Sequence, residues 1–267
     1  MGESDAVQRS SGPRTRASLE MDLRRLGLQP GMTVIVHSSL SALGWVVGGP
    51  VTVVEALMEV ITPDGTLVMP AHSSELSEPS HWQNPPVPEV WWQTIRDTMP
   101  PFDPRLTPTR GMGDVVEAFR LWPGVHRSRH PTASFAAWGR HAHLVTNDHG
   151  YESMLGEESP LARIYDLHGW VLLLGVGYNR NTSFHLAEYR VPHPPTRDEG
   201  APVMLDGQRV WLEMRDVDVD DEPFANIGLA FELTGRVRTN QVGSAEARLF
   251  QQRPAVDFAH DWLLAHR

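Results

Sequence analysis

The chain has 267 residues, of which 40% are hydrophobic and 21% charged, and its formal net charge is -10. This composition is typical of a globular protein with a buried core, and the acidic balance argues against nucleic acid or an anionic membrane as a partner. Because cysteine is absent, disulfides, Cys-ligated zinc and an acyl-cysteine intermediate are excluded.

The N-terminal residues are predicted to be a disordered lead-in over 1–18, followed by a single domain over 19–267. The lead-in has no apolar core like that of a secretory signal, and no segment has the roughly 18 consecutive apolar residues of a membrane span. We therefore expect a cytoplasmic protein. Helical spacing begins at Leu19 and runs to Leu28, just before a Pro-Gly turn.

The next segment predicts a short buried strand over Thr33–His37, a loop, a helix opened by Pro50 and a second strand in DGTLVMP. His37 is followed by two serines. Backbone amides and hydroxyls in this position suit a phosphate or the amides of a pantetheine arm. An ordinary strand end with serine turn residues is the alternative interpretation.

Residues 71–111 are irregular and rich in proline, tryptophan and acidic groups. An irregular stretch of this length inside a domain is usually functional or disordered. The tryptophans and the FDP segment favour an ordered, functional insertion. After it, the pattern predicts a helix over 113–121 and an extended segment over 130–138.

The second half of the chain predicts more α/β structure. SPLARIYDLHG indicates a helix, WVLLLGVG a fully apolar strand, and NRNTSFHLAEYR a loop that enters a helix. A fully apolar strand between helices indicates a sheet covered on both faces. A hairpin is predicted around Asp206-Gly207, and helical segments near 224–233 and 243–266.

His185 is the first candidate for catalysis. It is predicted in the first turn of a helix, capped by Asn181 or Thr182, beyond the carboxyl end of the apolar strand, where open α/β sheets bind ligands. The helix dipole disfavours imidazolium there, so a neutral imidazole would be a competent general base. A purely structural histidine is the alternative. The 13 histidines show no tight metal-ligand spacing, so no metal site is predicted.

Six blocks in register make the chain resemble the aminoglycoside 3-N-acetyltransferase family, also called the antibiotic N-acetyltransferase family. They are VHSSLSALGWVVGGPVTVVEAL, GTLVMP, PPFDPRLTPTRGMG, RSRHPTASFAAWG, SPLARIYDLHGWVLLLGVGYNRNTSFHLAEY and PFANIG. The resemblance implies a three-layer αβα fold, distinct from that of the Gcn5-related acetyltransferases. It also implies acetyl-CoA-dependent acetylation of the 3-amino group of aminoglycoside antibiotics, conferring resistance by direct transfer in a ternary complex.

The same resemblance implies roles for individual residues. His185 becomes the general base, and Glu222, two residues before a phenylalanine, becomes the carboxylate that orients it, with Glu188 at i+3 as the rival. His37, or a backbone amide near Ser38 or Ser39, is the candidate oxyanion donor. The surface expected to contact coenzyme A comprises His37, Ser38, Ser39, Leu40, Ser41, Ser134, Phe135, Ala136 and Ala137.

The acidic insertion matches the region that meets the antibiotic, so Glu75, Glu78 and Asp103, with Glu188 and Glu222, are expected to bind the drug's amines. Coenzyme A and a cationic aminoglycoside are the expected partners of a monomer or homodimer without metal. The alternatives are a same-family acyltransferase acting on an amine of a biosynthetic intermediate, a noncatalytic nucleotide or coenzyme A sensor, and a metal-dependent hydrolase.

Overall fold

The computed structural model describes residues 3–10 and 12–266 of the chain. Its strands are β1 (Thr33–Ser38), β2 (Thr66–Pro70), β3 (His126–Arg127), β4 (Phe135–Gly139), β5 (Trp170–Leu174), β6 (Thr196–Leu205), β7 (Gln208–Val217), β8 (Arg238–Val242) and β9 (Ala245–Gln251). Its helices are α1 (Glu3–Arg9), α2 (Arg16–Leu26), α3 (Gly49–Ile61), α4 (Trp92–Thr98), α5 (Asp114–Arg120), α6 (Ala142–Thr146), α7 (Pro160–Asp166), α8 (His185–Arg190), α9 (Phe224–Glu232) and α10 (Gln252–His266).

Within this described part, a seven-stranded sheet has the order β3-β4-β2-β1-β5-β9-β8. The three central strands are parallel, with Ile35 opposite Val68 on one side and Val171 on the other. The outer strands join them in antiparallel pairs. Because parallel neighbours point the same way, the carboxyl ends of β2, β1 and β5 lie together at one edge of the sheet.

The central strands have apolar side chains on both faces. Val34 and Val36 of β1 pack into a core with α2, α3 and α5, while Ile35 between them packs into a second core with α6 to α10. Successive side chains of a strand point to opposite faces, so a strand covered on both sides needs an unbroken apolar sequence. The predicted three-layer αβα architecture is confirmed.

Gly175 follows β5 and redirects the chain toward the edge where the central strands end. Its φ of 71° lies in the left-handed region. A Cβ atom at this position would lie 2.6 Å from the Cβ of Ala42 and 3.0 Å from that of Ala245. Only glycine combines this backbone conformation with such close packing.

The hairpin β6–β7 forms a separate two-stranded sheet. Its strands pair from Thr196 opposite Val217 to Leu205 opposite Gln208. The turn between them, Asp206-Gly207, has positive φ at both residues, as a tight two-residue hairpin requires. The predicted hairpin is confirmed.

Two predictions differ from the structure. The lead-in is ordered where described, because Ser10 Oγ accepts a hydrogen bond from Trp45 N–H and Arg14 N–H donates to Trp45 C=O. The C-terminal segment begins as strand β9 before α10, since alternate residues such as Ala247 and Leu249 are buried with the period of a strand. Across residues 3–10 and 12–266, we find no helix long and apolar enough to cross a membrane.

Candidate active site

A cleft of about 460 Å³ opens at the edge where β1 and β2 end and where the loop after β5 returns. This is the position at which an α/β sheet ordinarily binds its ligand. Its polar lining residues are His37, Ser38, Ser39, His72, Asn179, Arg180, Thr182, His185 and Asp221. The cleft therefore contains three histidines from three different segments of the chain.

His185 and Glu188 form a hydrogen-bonded pair on the first turn of α8. The distance between Nδ1 of His185 and Oε2 of Glu188 is 2.6 Å. The i, i+3 spacing places both side chains on one helix face. Only 2% of Glu188 is exposed, and its other oxygen, Oε1, accepts the backbone N–H of Asp220 at 2.9 Å. Since an ionised carboxylate only accepts hydrogen bonds, Nδ1 is the protonated nitrogen and Nε2 is available as a base.

The prediction that Glu222 orients His185 does not agree with this geometry. Glu222 is exposed, its backbone N–H donates to Asp220 Oδ1, and it borders a separate pocket on α10. Glu188, the alternative carboxylate, occupies the position at His185. The late sequence block instead brings Phe224 to the site, with its ring centroid 4.6 Å from that of His185. Phe224 is buried and packs against the imidazole.

The predicted caps of the His185 helix are also absent from the structure. Thr182–Phe184 form a 3-10 turn, and Phe184 occupies the N-cap position of α8 without a side-chain hydrogen bond. The side chain of Asn181 is fully buried, and neither of its polar atoms finds a partner in the described residues. The backbone turn itself, rather than a capping side chain, places His185 at the cleft.

His37 lies at the end of β1 and is 8% exposed. Burial, followed by repulsion from His185, lowers the pKa of His37 to about 3, so its imidazole is neutral at pH 7. Its Nε2 atom and the hydroxyl of Ser38 are buried without a hydrogen-bond partner among the described residues. Buried polar atoms of this kind are usually satisfied by water or a ligand.

The serines after His37 are partly engaged by the protein itself. Ser39 N–H donates to Leu174 C=O at 3.0 Å, and the hydroxyls of Ser39 and Ser41 lie 3.3 Å apart. Leu40 begins a 3-10 turn. The amide of Ser39 is therefore not a free oxyanion donor, contrary to one of the predicted possibilities.

The segment Ser134–Ala137 does not line the cleft. It is buried at the start of β4, between β2 and β3, and has no exposed surface. The Ser134 hydroxyl donates to Ala71 C=O and accepts from Arg127 Nε. The prediction that Ser134, Phe135, Ala136 and Ala137 contact coenzyme A is incompatible with this burial, because Phe135, Ala136 and Ala137 are part of β4 and Ser134 immediately precedes it.

The three acidic residues of the insertion have different environments. Glu78 pairs with Arg96 at 2.6 Å; burial would raise the pKa of Glu78, but the hydrogen bonds from Arg96 and Ser80 lower it overall. Asp103 accepts the backbone N–H groups of Leu106 and Arg105, which lower its pKa. Glu75 alone keeps a buried oxygen, Oε2, without a partner in the part of the chain that is described. It borders a pocket with Trp82 and Arg110.

His72 is a cleft residue that the sequence did not identify as functional. It lies two residues beyond the end of β2, and His37 lies at the end of the parallel strand β1. This position after a buried strand is the feature by which the sequence could have identified it. Asn179, Arg180 and Asp221 were missed because loop residues carry no periodic pattern. For residues 3–10 and 12–266, no group of three His, Asp or Glu side chains has a metal-binding arrangement.

Comparison with known proteins gives a consistent result over nearly the whole chain. Residues 35–264 match the family model described as aminoglycoside 3-N-acetyltransferase. The SPbeta prophage-derived aminoglycoside N(3')-acetyltransferase-like protein YokD of Bacillus subtilis (strain 168) is 49% identical, over 97% of this chain and 95% of that protein. Its crystal structure superposes with a TM-score of 0.96 and covers 97% of both chains.

Two further similar structures are complexes with a ligand. A structure of AAC-IIIb described as binary with CoASH is 30% identical, with a TM-score of 0.86 over 96% of this chain and 98% of that one. A structure of AAC-VIa bound to sisomicin is 31% identical, with a TM-score of 0.85 over 96% of this chain and 99% of that one.

Proposed function

Because the chain belongs to the aminoglycoside 3-N-acetyltransferase family, we propose that it transfers the acetyl group of acetyl-CoA to the 3-amino group of an aminoglycoside antibiotic and thereby confers resistance. The observation that carries the proposal is the His185–Glu188 pair, which faces a cleft where His37 Nε2, Ser38 Oγ and His72 Nε2 are buried without a partner among the described residues. Coenzyme A and an aminoglycoside are the partners, and the reaction takes place in the cytoplasm, where acetyl-CoA is made.

The amine must be neutral when it attacks, although aminoglycoside amines are largely protonated at pH 7. In the proposed mechanism, the ammonium first releases one proton to solvent, and Nε2 of His185 then takes a second proton from the neutral 3-amine as its nitrogen bonds to the thioester carbon. Glu188 stabilises the resulting imidazolium through Nδ1–H. Exposed Asp221, at the same cleft, adds negative charge beside the incoming ammonium.

The products follow from a balanced transfer. The carbonyl electron pair moves to oxygen as the C–N bond forms, and its return expels the coenzyme A thiolate. The thiolate takes the proton from His185, so that one amide and one thiol are formed. Holding both substrates in one cleft supplies much of the rate through proximity, and no acyl-enzyme intermediate is involved.

Coenzyme A is proposed to bind along the end of β1, where His37, Ser38, Ser39, Leu40 and Ser41 lie. Ser38 Oγ and His37 Nε2 have no hydrogen-bond partner in the described part of the chain and are available to the ligand. A neutral His37 suits the uncharged pantetheine arm or the thioester. The drug is proposed to approach from the side of the acidic insertion, where one oxygen of Glu75 has no partner among residues 3–10 and 12–266.

The proposal is tested by a thiol-release assay with acetyl-CoA and a panel of aminoglycosides that either carry or lack a 3-amino group. We expect release only with drugs that carry this amine, and mass spectrometry should show one added acetyl group at that nitrogen. Acylation of another amine with no turnover of any aminoglycoside would support the biosynthetic alternative instead.

A further inference from the structure

His72 lines the cleft together with His37 and His185. Since β2, β1 and β5 lie side by side in that order, His72 follows the strand on one side of β1, and His185 follows the strand on the other. His37 ends β1 itself. The cleft is thus lined by three imidazoles, one for each central strand.

His72 is a hydrogen-bonding group without a protein partner. Its Nε2 atom is buried and has none among residues 3–10 and 12–266. The ring is held edge-on to buried Phe135, with centroids 5.3 Å apart. Burial first, then repulsion from His185 and His37, lowers the pKa of His72 to about 3, so the ring is neutral when the enzyme works. A neutral imidazole retains one N–H donor.

A partly buried cation lies beside the segment that carries His72. The Arg127 guanidinium donates to Ala71 C=O and to Ser73 Oγ, the residues on either side of His72. Every hydrogen bond it makes with described residues goes to a neutral oxygen, on Ala71, Ser73, Pro104, Thr107 or Ser134. Although burial lowers the pKa of Arg127 to about 10, it stays protonated at neutral pH.

The charges around the cleft suit both substrates. Glu188 and Asp221 favour an ammonium group near His185. The positive charge of Arg127, which binds the residues on either side of His72, favours an oxygen that gains negative charge there. Preorganised donors aimed at such an oxygen are a major source of catalysis in acyl transfer.

We propose that His72 is a further catalytic residue, which donates a hydrogen bond from Nε2–H to the thioester carbonyl oxygen as that oxygen becomes negative. This inference rests on the proposed acetyl transfer and assigns the oxyanion contact to a residue outside the segment at the end of β1. His72 leaves the proton transfers to His185 and changes only the stability of the tetrahedral intermediate.

The test compares His72→Leu, which removes the donor, with His72→Gln, whose amide N–H reaches a similar position. Steady-state rates are measured with acetyl-CoA and an aminoglycoside that the wild type acetylates. We expect the leucine variant to lose about 10²-fold in kcat, the usual effect of removing one such donor, with both KM values within about threefold. The kcat of the glutamine variant should be at least about tenfold higher than that of the leucine variant. His126→Leu, at the far edge of the sheet, is the matched control.

A spectroscopic measurement separates catalysis from folding. The infrared carbonyl stretch of acetyl-CoA bound without acceptor should lie at lower frequency in the wild type and the glutamine variant than in the leucine variant. If the leucine variant does not fold, His72→Ser replaces it, because serine is too short to reach the carbonyl.

Several results would overturn the assignment. They are a leucine variant that keeps more than a third of wild-type kcat, a loss confined to the drug KM, or an unchanged carbonyl frequency. A wild type that acetylates no aminoglycoside would instead contradict the proposed function, which separates the two failures.

Discussion

Glu188 is a buried carboxylate whose two oxygens accept hydrogen bonds from two different segments of the chain. Oε2 holds the imidazole of His185, and Oε1 holds the amide of Asp220 from the segment before α9. Burying a charge is costly unless it is hydrogen-bonded, so these two contacts make the position tolerable. They also fix which nitrogen of His185 bears the proton.

The first prediction compares two carboxylates. Glu188→Gln should lower kcat by about 10²-fold or more, because the amide neither stabilises imidazolium nor enforces the tautomer as a carboxylate does. The matched substitution Glu222→Gln should leave kcat within about threefold, since Glu222 is exposed and does not line the cleft that contains His185. Steady-state kinetics of the two variants decide the matter, and the opposite ranking would restore Glu222 as the orienting residue.

The second prediction concerns the base itself. His185→Ala should reduce kcat by about 10²–10⁴-fold, the usual range for loss of a general base. Coenzyme A affinity, measured by calorimetry, should change by no more than a few-fold, because the imidazole acts on the amine. A variant that keeps more than a tenth of wild-type turnover at neutral pH would exclude this role.

At the scale of elements, one side chain joins the insertion to the sheet. Arg127 of β3 donates to Thr107 C=O and Pro104 C=O in the insertion and to Ala71 C=O just after β2. Its guanidinium also lies over the ring of Phe102, 5.0 Å from the centroid. The insertion is therefore ordered by a cation from outside its own sequence.

The third prediction follows from these contacts. Arg127→Met should lower the free energy of unfolding by about 2–4 kcal/mol, because the backbone carbonyl groups of Ala71, Pro104 and Thr107 lose this donor. Chemical denaturation measures the loss. Arg129→Met, two residues along the same segment, serves as the control and should cost less than about 0.5 kcal/mol, as most surface substitutions do.

The fourth prediction separates binding from structural carboxylates in the insertion. Glu75→Gln should raise the drug KM by about tenfold with the acetyl-CoA KM nearly constant, because Glu75 Oε2, which has no partner among the described residues, can pair with an ammonium group. Glu78→Gln should chiefly reduce stability, since Glu78 is held by Arg96. Equal drug KM values for Glu75→Gln and the wild type would show that this surface does not bind the antibiotic.

At the scale of the whole molecule, four buried histidines make stability depend on pH. Burial is the largest cause that lowers the pKa of each: to about 3 for His37 and His72, to about 4 for His130, and well below its usual value for His149. In the unfolded chain these groups titrate near 6.5. Between pH 6.5 and about 4 the unfolded state therefore binds more protons, and stability falls as the pH falls.

The fifth prediction uses this linkage. The melting temperature should be nearly constant above pH 7 and should fall steadily between pH 6.5 and 4. His149→Gln should show a shallower fall, because one buried imidazole is gone, whereas the exposed His168→Gln should follow the wild type. Parallel curves for all three proteins would contradict the role of buried histidine.

The sequence predicted the sheet well because its central strands are short and apolar, and it predicted His185 because of its place after β5. Pairings between distant segments were harder. Glu222 was preferred over Glu188 on resemblance, although i, i+3 spacing on a helix was the better physical argument. Ser134–Ala137 looked like a binding surface, but burial between two strands is invisible in one sequence. His72 was missed since nothing local shows that β2 lies beside β1.

The tight turn at Asp206-Gly207 divides the chain into two unequal pieces. The first contains His37, His72 and the His185–Glu188 pair; the second contains the Asp220 amide, Phe224 and β9, which covers the open edge of β5. Neither piece contains the complete site or all seven strands of the large sheet. Exposed turns tolerate interruption. If the chain is cleaved here, activity should therefore appear only when the two fragments associate, and it would measure that association.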